Sequence, residues 1–300
     1  MHGAIAHAHG VLYVGRSAKT ATVEAFDADG RPLAARFRFR DATVGRSSVA
    51  GLDVDADHRV WVADEAAGKL RAFTLFGQPV AELGGTPEDQ LDVRGALGAP
   101  VAVRARGSDD ALVLLIASAG RRRYALQLHR PHDARTRVLT SLGEAEGAFD
   151  DLADVHWASA RDPDGARGAL AGAGDGEDVI VTAERRARRL QLFRGGRFVH
   201  AVSTAHAPEA AVRLPDGRFI VAFGAPHGGG GELALLGRDG RRIARLAGPD
   251  EVDQPSGLAL SPGQSDAETR LWVVDREGTR VQLFTADGRG WGEFTSLAAR

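Results

Sequence analysis

The chain has 300 residues, a formal net charge of −2 and no cysteine. The lack of cysteine excludes disulfides and thiolate metal sites. The near-neutral charge argues against bulk nucleic acid or an anionic membrane surface as a partner. No run of the sequence approaches the ~18 apolar residues of a membrane helix, and residues 1–10 lack the basic start of a signal peptide. We therefore expect a cytoplasmic monomer.

Four short strands are predicted in residues 51–83, because each run is alternating or continuously apolar and is bounded by Gly, Asp or Pro. The same pattern recurs along the chain. The second strands are Val11–Val14, Val60–Val62, Ala111–Ile116, Asp178–Val181, Arg218–Val221 and Arg270–Val274. The third strands are Val23–Phe26, Leu70–Phe73, Tyr124–Leu128, Leu190–Phe193, Leu233–Leu236 and Val281–Phe284.

A repeat of roughly 40 to 50 residues with four strands is the period of a propeller blade. Six repeats account for the whole length, so the sequence predicts an all-β, six-bladed β-propeller of four-stranded antiparallel blades in one domain. The expected blades are residues 1–39, 40–85, 86–143, 144–203, 204–248 and 249–300. Both end blades contain all of their own strands, so we expect the ring to close without exchange of a strand.

The phrase from Gly51 to Asp64, Gly-Leu-Asp-Val-Asp-Ala-Asp-His-Arg-Val-Trp-Val-Ala-Asp, resembles the NHL repeat. Pro255–Leu260, Leu271–Asp275 and Val281–Gly288 resemble it equally well. The resemblance implies a closed six-bladed propeller that acts as a non-catalytic interaction platform for protein or RNA. Similar six-bladed propellers include lactonase-type metal hydrolases and peptide-amidating lyases, so an enzyme is the alternative hypothesis.

Propeller topology places the connections between second and third strands, and those between blades, on one rim, called here the loop rim. Arginines and histidines are concentrated there, and we take them as the candidate binding residues: Arg121, Arg122, Arg123, Arg185, Arg186, Arg188, Arg189, His206 and His227. Guanidinium groups bind carboxylates and phosphates bidentately, which predicts a protein or a small anionic ligand as partner. The alternative is a solvated face neutralised by Glu144, Asp150, Asp151 and Glu184. These loops lack aromatic residues to stack bases, which argues against RNA.

No metal or cofactor is predicted. The carboxylates of Asp53, Asp55 and Asp57 have the spacing of a calcium loop, but His58 stands where such a loop needs glycine and the flanks are strands. The chain contains no asparagine, and Ser256 stands where lactonase-type propellers carry an acid. If the protein is a hydrolase or lyase, its site is expected at the channel mouth, from His7 and His156 on first strands or from His206 and His227.

Overall fold

The computed structural model describes residues 3–84, 97–119, 125–140, 145, 147–149, 151–158, 179–224, 230–261, 263, 265–275 and 280–295. Within these ranges the chain forms six antiparallel sheets of four strands, two short 3₁₀ segments and no α-helix. In these ranges no helical segment is both long enough and apolar enough to span a membrane. The six-bladed β-propeller predicted from the repeats is confirmed.

Each blade takes its four strands from one continuous segment, in sequential order. Blade one contains β1 (Gly3–Ala8), β2 (Val11–Arg16), β3 (Ala21–Phe26) and β4 (Pro32–Phe39). Blade two contains β5 (Gly51–Val54), β6 (Val60–Asp64), β7 (Lys69–Phe73) and β8 (Pro79–Gly84). Blade three contains β9 (Ala99–Arg106), β10 (Val113–Ala119), β11 (Ala125–Arg130) and β12 (Arg135–Thr140).

The second half of the ring repeats this arrangement. Blade four contains β13 (Leu152–Ala158), β14 (Val179–Glu184), β15 (Arg189–Arg194) and β16 (Arg197–Ser203). Blade five contains β17 (Pro208–Arg213), β18 (Phe219–Phe223), β19 (Glu232–Leu236) and β20 (Arg242–Ala247). Blade six contains β21 (Gly257–Ser261), β22 (Arg270–Asp275), β23 (Arg280–Thr285) and β24 (Gly290–Thr295). The long connection between β13 and β14, residues 159–178, lies outside the described residues, as do residues 85–96.

The ring closes by face packing, as expected. The innermost strands β1, β5, β9, β13, β17 and β21 pack against one another in that order, and β21 packs against β1. The hydrophobic cores lie between neighbouring blades. Trp61, 1% exposed, fills the core between blades two and three, and Trp272, also 1% exposed, fills the core between blades six and one. No strand of blade one enters the sheet of blade six.

Tight turns between third and fourth strands bring the blades close together on the rim opposite the loop rim, called here the turn rim. Gly240 has φ +81°, which favours glycine because other residues are strained there. A Cβ at this position would lie 2.3 Å from Cγ1 of Val202 in blade four. Glycine in this turn therefore serves both the hairpin and the packing of blade five on blade four.

Buried acids at the ends of second strands hold the linkers between blades. Asp64 accepts a hydrogen bond from the backbone of Ser48 (2.9 Å) and pairs with Arg71 (3.3 Å). Asp275 accepts hydrogen bonds from the backbones of Asp253 (3.0 Å) and Gln254 (2.6 Å). Both acids are fully buried. Because each satisfies backbone donors of the incoming linker, these carboxylates fix the path of the chain on the loop rim.

Candidate functional site

Charged residues occupy one structurally equivalent position on the innermost strands of several blades. The position is defined by its antiparallel partner on the second strand, which from blade one to blade six is Tyr13, Trp61, Leu115, Val181, Ile220 and Trp272. From blade one to blade six it holds Ala6, Asp53, Arg104, His156, Val212 and Ala259. The innermost strands of a propeller surround its axis. Blades two, three and four therefore place titratable groups at the central channel, where the other three blades place small or apolar side chains.

An ion pair links blades three and four at the channel. Arg104 Nη2 lies 3.0 Å from Asp154 Oδ1, and the two side chains are 14% and 12% exposed. Arg104 also donates from Nη1 to the carbonyl oxygen of Val103 (2.9 Å). Burial raises the pKa of Asp154, and the charge of Arg104 opposes that rise. Arg104 thus holds the carboxylate in a poorly solvated place, together with the backbone N–H groups of Val155 and Ala211 and the charge of Arg185.

Asp53 supports the same region from blade two. Its Oδ2 accepts a hydrogen bond from the backbone N–H of Ala105 in blade three (2.8 Å), and its Oδ1 accepts one from Val54 (2.9 Å). Burial raises the pKa of Asp53, while Arg104 acts in the opposite direction. Asp53 therefore joins β5 to β9 at the channel and contributes a second carboxyl group to the field around Arg104.

His156 lies where three arginines exert their charge together. Desolvation, followed by the charges of Arg104, Arg213 and Arg106, lowers the pKa of His156 to about 3. The imidazole is consequently neutral at physiological pH. The guanidinium of Arg106 lies over the indole ring of Trp157, 4.7 Å from its centroid, on the same strand as His156. The low pKa of His156 thus reflects burial first and the positive charge of the three arginines second.

Several polar atoms in this region are buried without a hydrogen-bond partner among the described residues. They include Oδ2 of Asp154, Nε1 of Trp157 and Nε of Arg213. Buried polar groups normally have partners, and leaving one unpaired costs about 1–3 kcal/mol. The cluster formed by Asp53, Arg104, Arg106, Asp154, His156, Trp157 and Arg213 is called here the channel cluster. It has donors and charge suited to an anion.

The arginines of the loop rim are partly engaged in holding the fold. Arg185 Nε donates to Oε2 of Glu209 in blade five (2.7 Å), and Arg189 Nη2 donates to Oε2 of Glu184 (3.0 Å) and to the carbonyl oxygen of Ala148 (2.8 Å). Burial opposes, but the partner carboxylates outweigh it, so the pKa of Arg185 is raised. These two arginines connect elements on the rim.

Other predicted rim residues are placed as follows. Arg186 and Arg188 have exposed side chains, and Arg188 adopts a left-handed backbone with φ +49° in the β14–β15 turn. His206 is exposed in the linker before β17, and its ring meets the edge of Phe223 at 6.0 Å between centroids. Arg121, Arg122, Arg123 and His227 lie outside the described residues.

The two histidines expected at the channel are on innermost strands but have different surroundings. His7 stacks on Trp272 of blade six, with 4.4 Å between ring centroids and 20° between planes. Its pKa is lowered by burial first, and then by the charges of Arg270 and His9. Blades one and four face each other across the ring, so the structure does not bring His7 and His156 into one site.

The Asp53–Asp57 string has the structural role predicted for it. Asp55 accepts hydrogen bonds from Nε of Arg59 (2.7 Å) and Nε1 of Trp61 (2.8 Å), whereas Asp57 accepts one from the backbone of Asp109 (2.8 Å). Asp53 binds the backbone of blade three instead. Asp55 and Asp57 therefore share Arg59 as a partner, whereas Asp53 does not contact it. The residues that the structure describes contain no group of three His, Asp or Glu able to hold a metal ion.

Sequence reasoning did not single out Arg104, Arg106, Asp154 or Arg213. The signal was present, because each interrupts or ends an apolar first strand. Aligning the first strands by their pairing with the second strands would have shown a charged column at one position of the repeat. The arginines of the loop rim were predicted as a site instead because they are consecutive in sequence.

No family model and no curated protein matches this chain. Solved structures resemble it over nearly its whole length. A protein of unknown function from Bacteroides caccae has a TM-score of 0.61 at 12% identity, covering 95% of this chain and 93% of that one. A chain of the nidogen/laminin complex has a TM-score of 0.62 at 14% identity, covering 96% and 94%. Hydrazine synthase of Kuenenia stuttgartiensis has a TM-score of 0.60 at 15% identity, covering 95% and 76%.

These likenesses, all at low identity, agree with the sheet topology and define the class of the protein. The chain is a six-bladed β-propeller with a charged channel. The similarity to these structures supports the fold of this chain and says nothing of its activity.

Proposed function

We propose that the chain is an NHL-type propeller that acts as a binding protein, and that its central channel holds the carboxylate or phosphate group of a small ligand. One observation carries the proposal: the guanidinium of Arg106 lies over the indole ring of Trp157, the residue after His156. After burial, the charges of Arg104, Arg106 and Arg213, from two different blades, lower the pKa of His156. A bound anion would neutralise this charge.

The channel favours an anion for two physical reasons. Cations act more strongly in a poorly solvated site than on an open surface, because solvent screens them less. The guanidinium group also offers a planar set of donors that matches carboxylate and phosphate oxygens. Three arginines face two carboxyl groups, those of Asp53 and Asp154, and burial raises the pKa of both. The balance of charge in the channel cluster is therefore positive.

The loop rim is a second candidate site, for a protein partner. Exposed Arg188 offers charge to such a partner, whereas Arg185 and Arg189 are held by Glu209 and Glu184. The nidogen/laminin neighbour, whose structure is that of a protein complex, supports this use of the fold. The enzyme hypothesis, with a site drawn from His7, His156, His206 or His227, stays a prediction. Metal analysis of the purified protein tests it.

Isothermal titration calorimetry with acetate, succinate and inorganic phosphate tests the channel. We expect Arg106→Gln to weaken binding of the anion roughly 10- to 100-fold, the effect of losing one charge-assisted hydrogen bond. The matched control is Arg186→Gln on the loop rim, which should leave the affinity unchanged. Equal affinity of wild type and Arg106→Gln would refute the channel site. A loss confined to Arg186→Gln would move the site to the loop rim.

A further inference from the structure

Three arginines from blades four and five meet on the turn rim, beside the end of the channel. Arg194 ends β15, Arg213 ends β17 and Arg238 lies in the β19–β20 turn. Arg194 and Arg238 are exposed, and Arg213 is partly buried. Burial and then the charges of Arg238 and Arg194 lower the pKa of Arg213. The charge of Asp216 acts on Arg213 in the opposite direction.

The approach of Arg213 and Arg238 is visible at Gly217, in the turn between β17 and β18. Arg238 Nε lies 2.7 Å, and Arg213 Nη2 3.1 Å, from the point that a Cβ of Gly217 would occupy. Two guanidinium groups thus approach the same small volume, which glycine leaves open. Like charges at such a distance are destabilising unless an anion lies between or beside them.

The carboxylates nearby are committed to other partners. Asp216 accepts hydrogen bonds from the backbone and Nε of Arg218, and both oxygens of Asp266 accept hydrogen bonds from Nη2 of the same arginine, at 2.8 and 3.0 Å. Arg238 is held by its Nε, which donates to the carbonyl oxygen of Asp216 (2.6 Å). Nε of Arg213 is buried and has no hydrogen-bond partner among the described residues. Among the described residues, Nε of Arg213 therefore lacks the acceptor that an anion would supply.

We propose that Arg194, Arg213 and Arg238 form a phosphate subsite on the turn rim, and that Arg213 makes it continuous with the channel cluster. The ligand class is then a small molecule with a phosphate group and a second anionic group. Its phosphate lies at the turn rim and its second anion lies beside Arg106 and His156. The position of the second anion rests on the proposed channel function, whereas the phosphate subsite stands on the approach of Arg213 and Arg238 at Gly217.

Three arginines around one group favour a phosphate over a carboxylate. A phosphate has more charge and more acceptor oxygens, so it can engage several guanidinium forks at once. The position of the subsite also sets the route of entry. A ligand anchored at Arg194 and Arg238, which are exposed, enters from the turn rim, opposite the loop rim.

Calorimetry with inorganic phosphate, and with the series phosphonoacetate, 3-phosphonopropionate and 4-phosphonobutyrate, tests the proposal on the full chain. We expect Arg238→Gln and Arg194→Gln each to weaken phosphate binding at least 10-fold. One member of the series should bind at least 10-fold more tightly than phosphate. Arg241→Gln is the matched control, because Arg241 is exposed in the same turn as Arg238. Its phosphate affinity should equal that of wild type, and thermal denaturation checks that each variant is folded.

The outcomes separate the two proposals. If Arg106→Gln weakens acetate binding but phosphate binding is indifferent to Arg238→Gln and Arg194→Gln, the rim subsite is refuted and the channel site stands. If phosphate binding depends on Arg238 but no probe responds to Arg106→Gln, the subsite stands and the channel site is refuted. Equal loss in Arg241→Gln and Arg238→Gln would reduce the effect to general surface charge and overturn the subsite.

Discussion

Replacing Asp154 by leucine should show how strongly the channel depends on its ion pair. The Asp154 and Arg104 side chains are 12% and 14% exposed and lie 3.0 Å apart. Removing one partner of a buried pair leaves an uncompensated charge and costs about 3–5 kcal/mol. We expect Asp154→Leu to lower the free energy of unfolding by that amount, because the guanidinium of Arg104 cannot lose its proton.

Replacing Arg104, the other partner of the ion pair, should cost less stability. With Arg104 replaced by methionine, Asp154 can take up a proton, and its pKa is already raised by burial. We expect Arg104→Met to cost about 1–3 kcal/mol, since the neutral acid avoids the full penalty of a buried charge. The double variant, with two apolar side chains in contact, should lie within about 1 kcal/mol of wild type, because well-packed apolar residues often replace a buried pair without loss.

Urea denaturation of the four proteins at pH 7 measures this cycle. The expected coupling between the two positions is several kcal/mol, beyond the range of about 0.3–0.5 kcal/mol within which independent substitutions add. Asp29→Leu is the control, because its pairing with Arg31 is on the surface, with side chains 66% and 76% exposed, and surface pairs contribute little. Additive single effects, or a harmless Asp154→Leu, would show that Arg104 does not rely on Asp154.

Three further outcomes are expected in denaturation experiments. Hydrogen bonds from the backbone of Val44, and then from the side chain of Lys69 and the backbone of Thr43, lower the pKa of Asp41 from 3.8 to about 2, so its contribution to stability is present above pH 4 and is lost as the pH falls towards 2. Asp41→Asn should lower the free energy of unfolding by about 1–2 kcal/mol at pH 7. It should also make that free energy depend less on pH between pH 4 and 2, and an unchanged pH profile would contradict this. The pKa of His156 falls from 6.5 to about 3, so the unfolded chain takes up a proton first and stability is lost as the pH falls from 6.5 to 3. His156→Leu should lose less stability than wild type over that range, and identical slopes would show that His156 titrates normally. Trp61→Ala should lower the free energy of unfolding by about 3–5 kcal/mol because Trp61 is 1% exposed. Trp61→Phe should cost less. A denaturation midpoint unchanged by Trp61→Ala would disprove the role of Trp61 in the core.

The sequence predicted the ring because the repeat is a local signal. Runs such as Val60–Ala63 and the turns that end in Gly240 and Gly288 recur at blade spacing, and four strands per repeat leave a blade no stable alternative to packing on its neighbours. The structure has the same order of strands. Both Trp61 and Trp272 are buried between blades, as their apolar surroundings in the sequence require.

The channel cluster could not be predicted from the repeat, because its contacts depend on which strands are neighbours in the folded ring. Arg104 and Asp154 are 50 residues apart, and Asp154 becomes the partner of Arg104 only when β9 and β13 are neighbours at the axis. Arg185 and Arg189 were visible as a basic run. Arg189 pairs with Glu184 across the β14–β15 hairpin, as the solvated-face alternative expects, whereas the pairing of Arg185 with Glu209 depends on where blade five packs. Charge counted along the chain does not show which charges are already neutralised in space.

The charges at the channel are not needed to close the propeller. At the equivalent position Ala6, Val212 and Ala259 serve blades one, five and six, and the innermost strands pack in the same way around the ring. Burying Asp53, Arg104 and His156 there instead costs solvation free energy. Residues that break the local rule without a structural gain are expected at functional sites. The concentration of these residues in consecutive blades therefore argues for one binding site on that side of the axis, continuous with Arg213 in blade five.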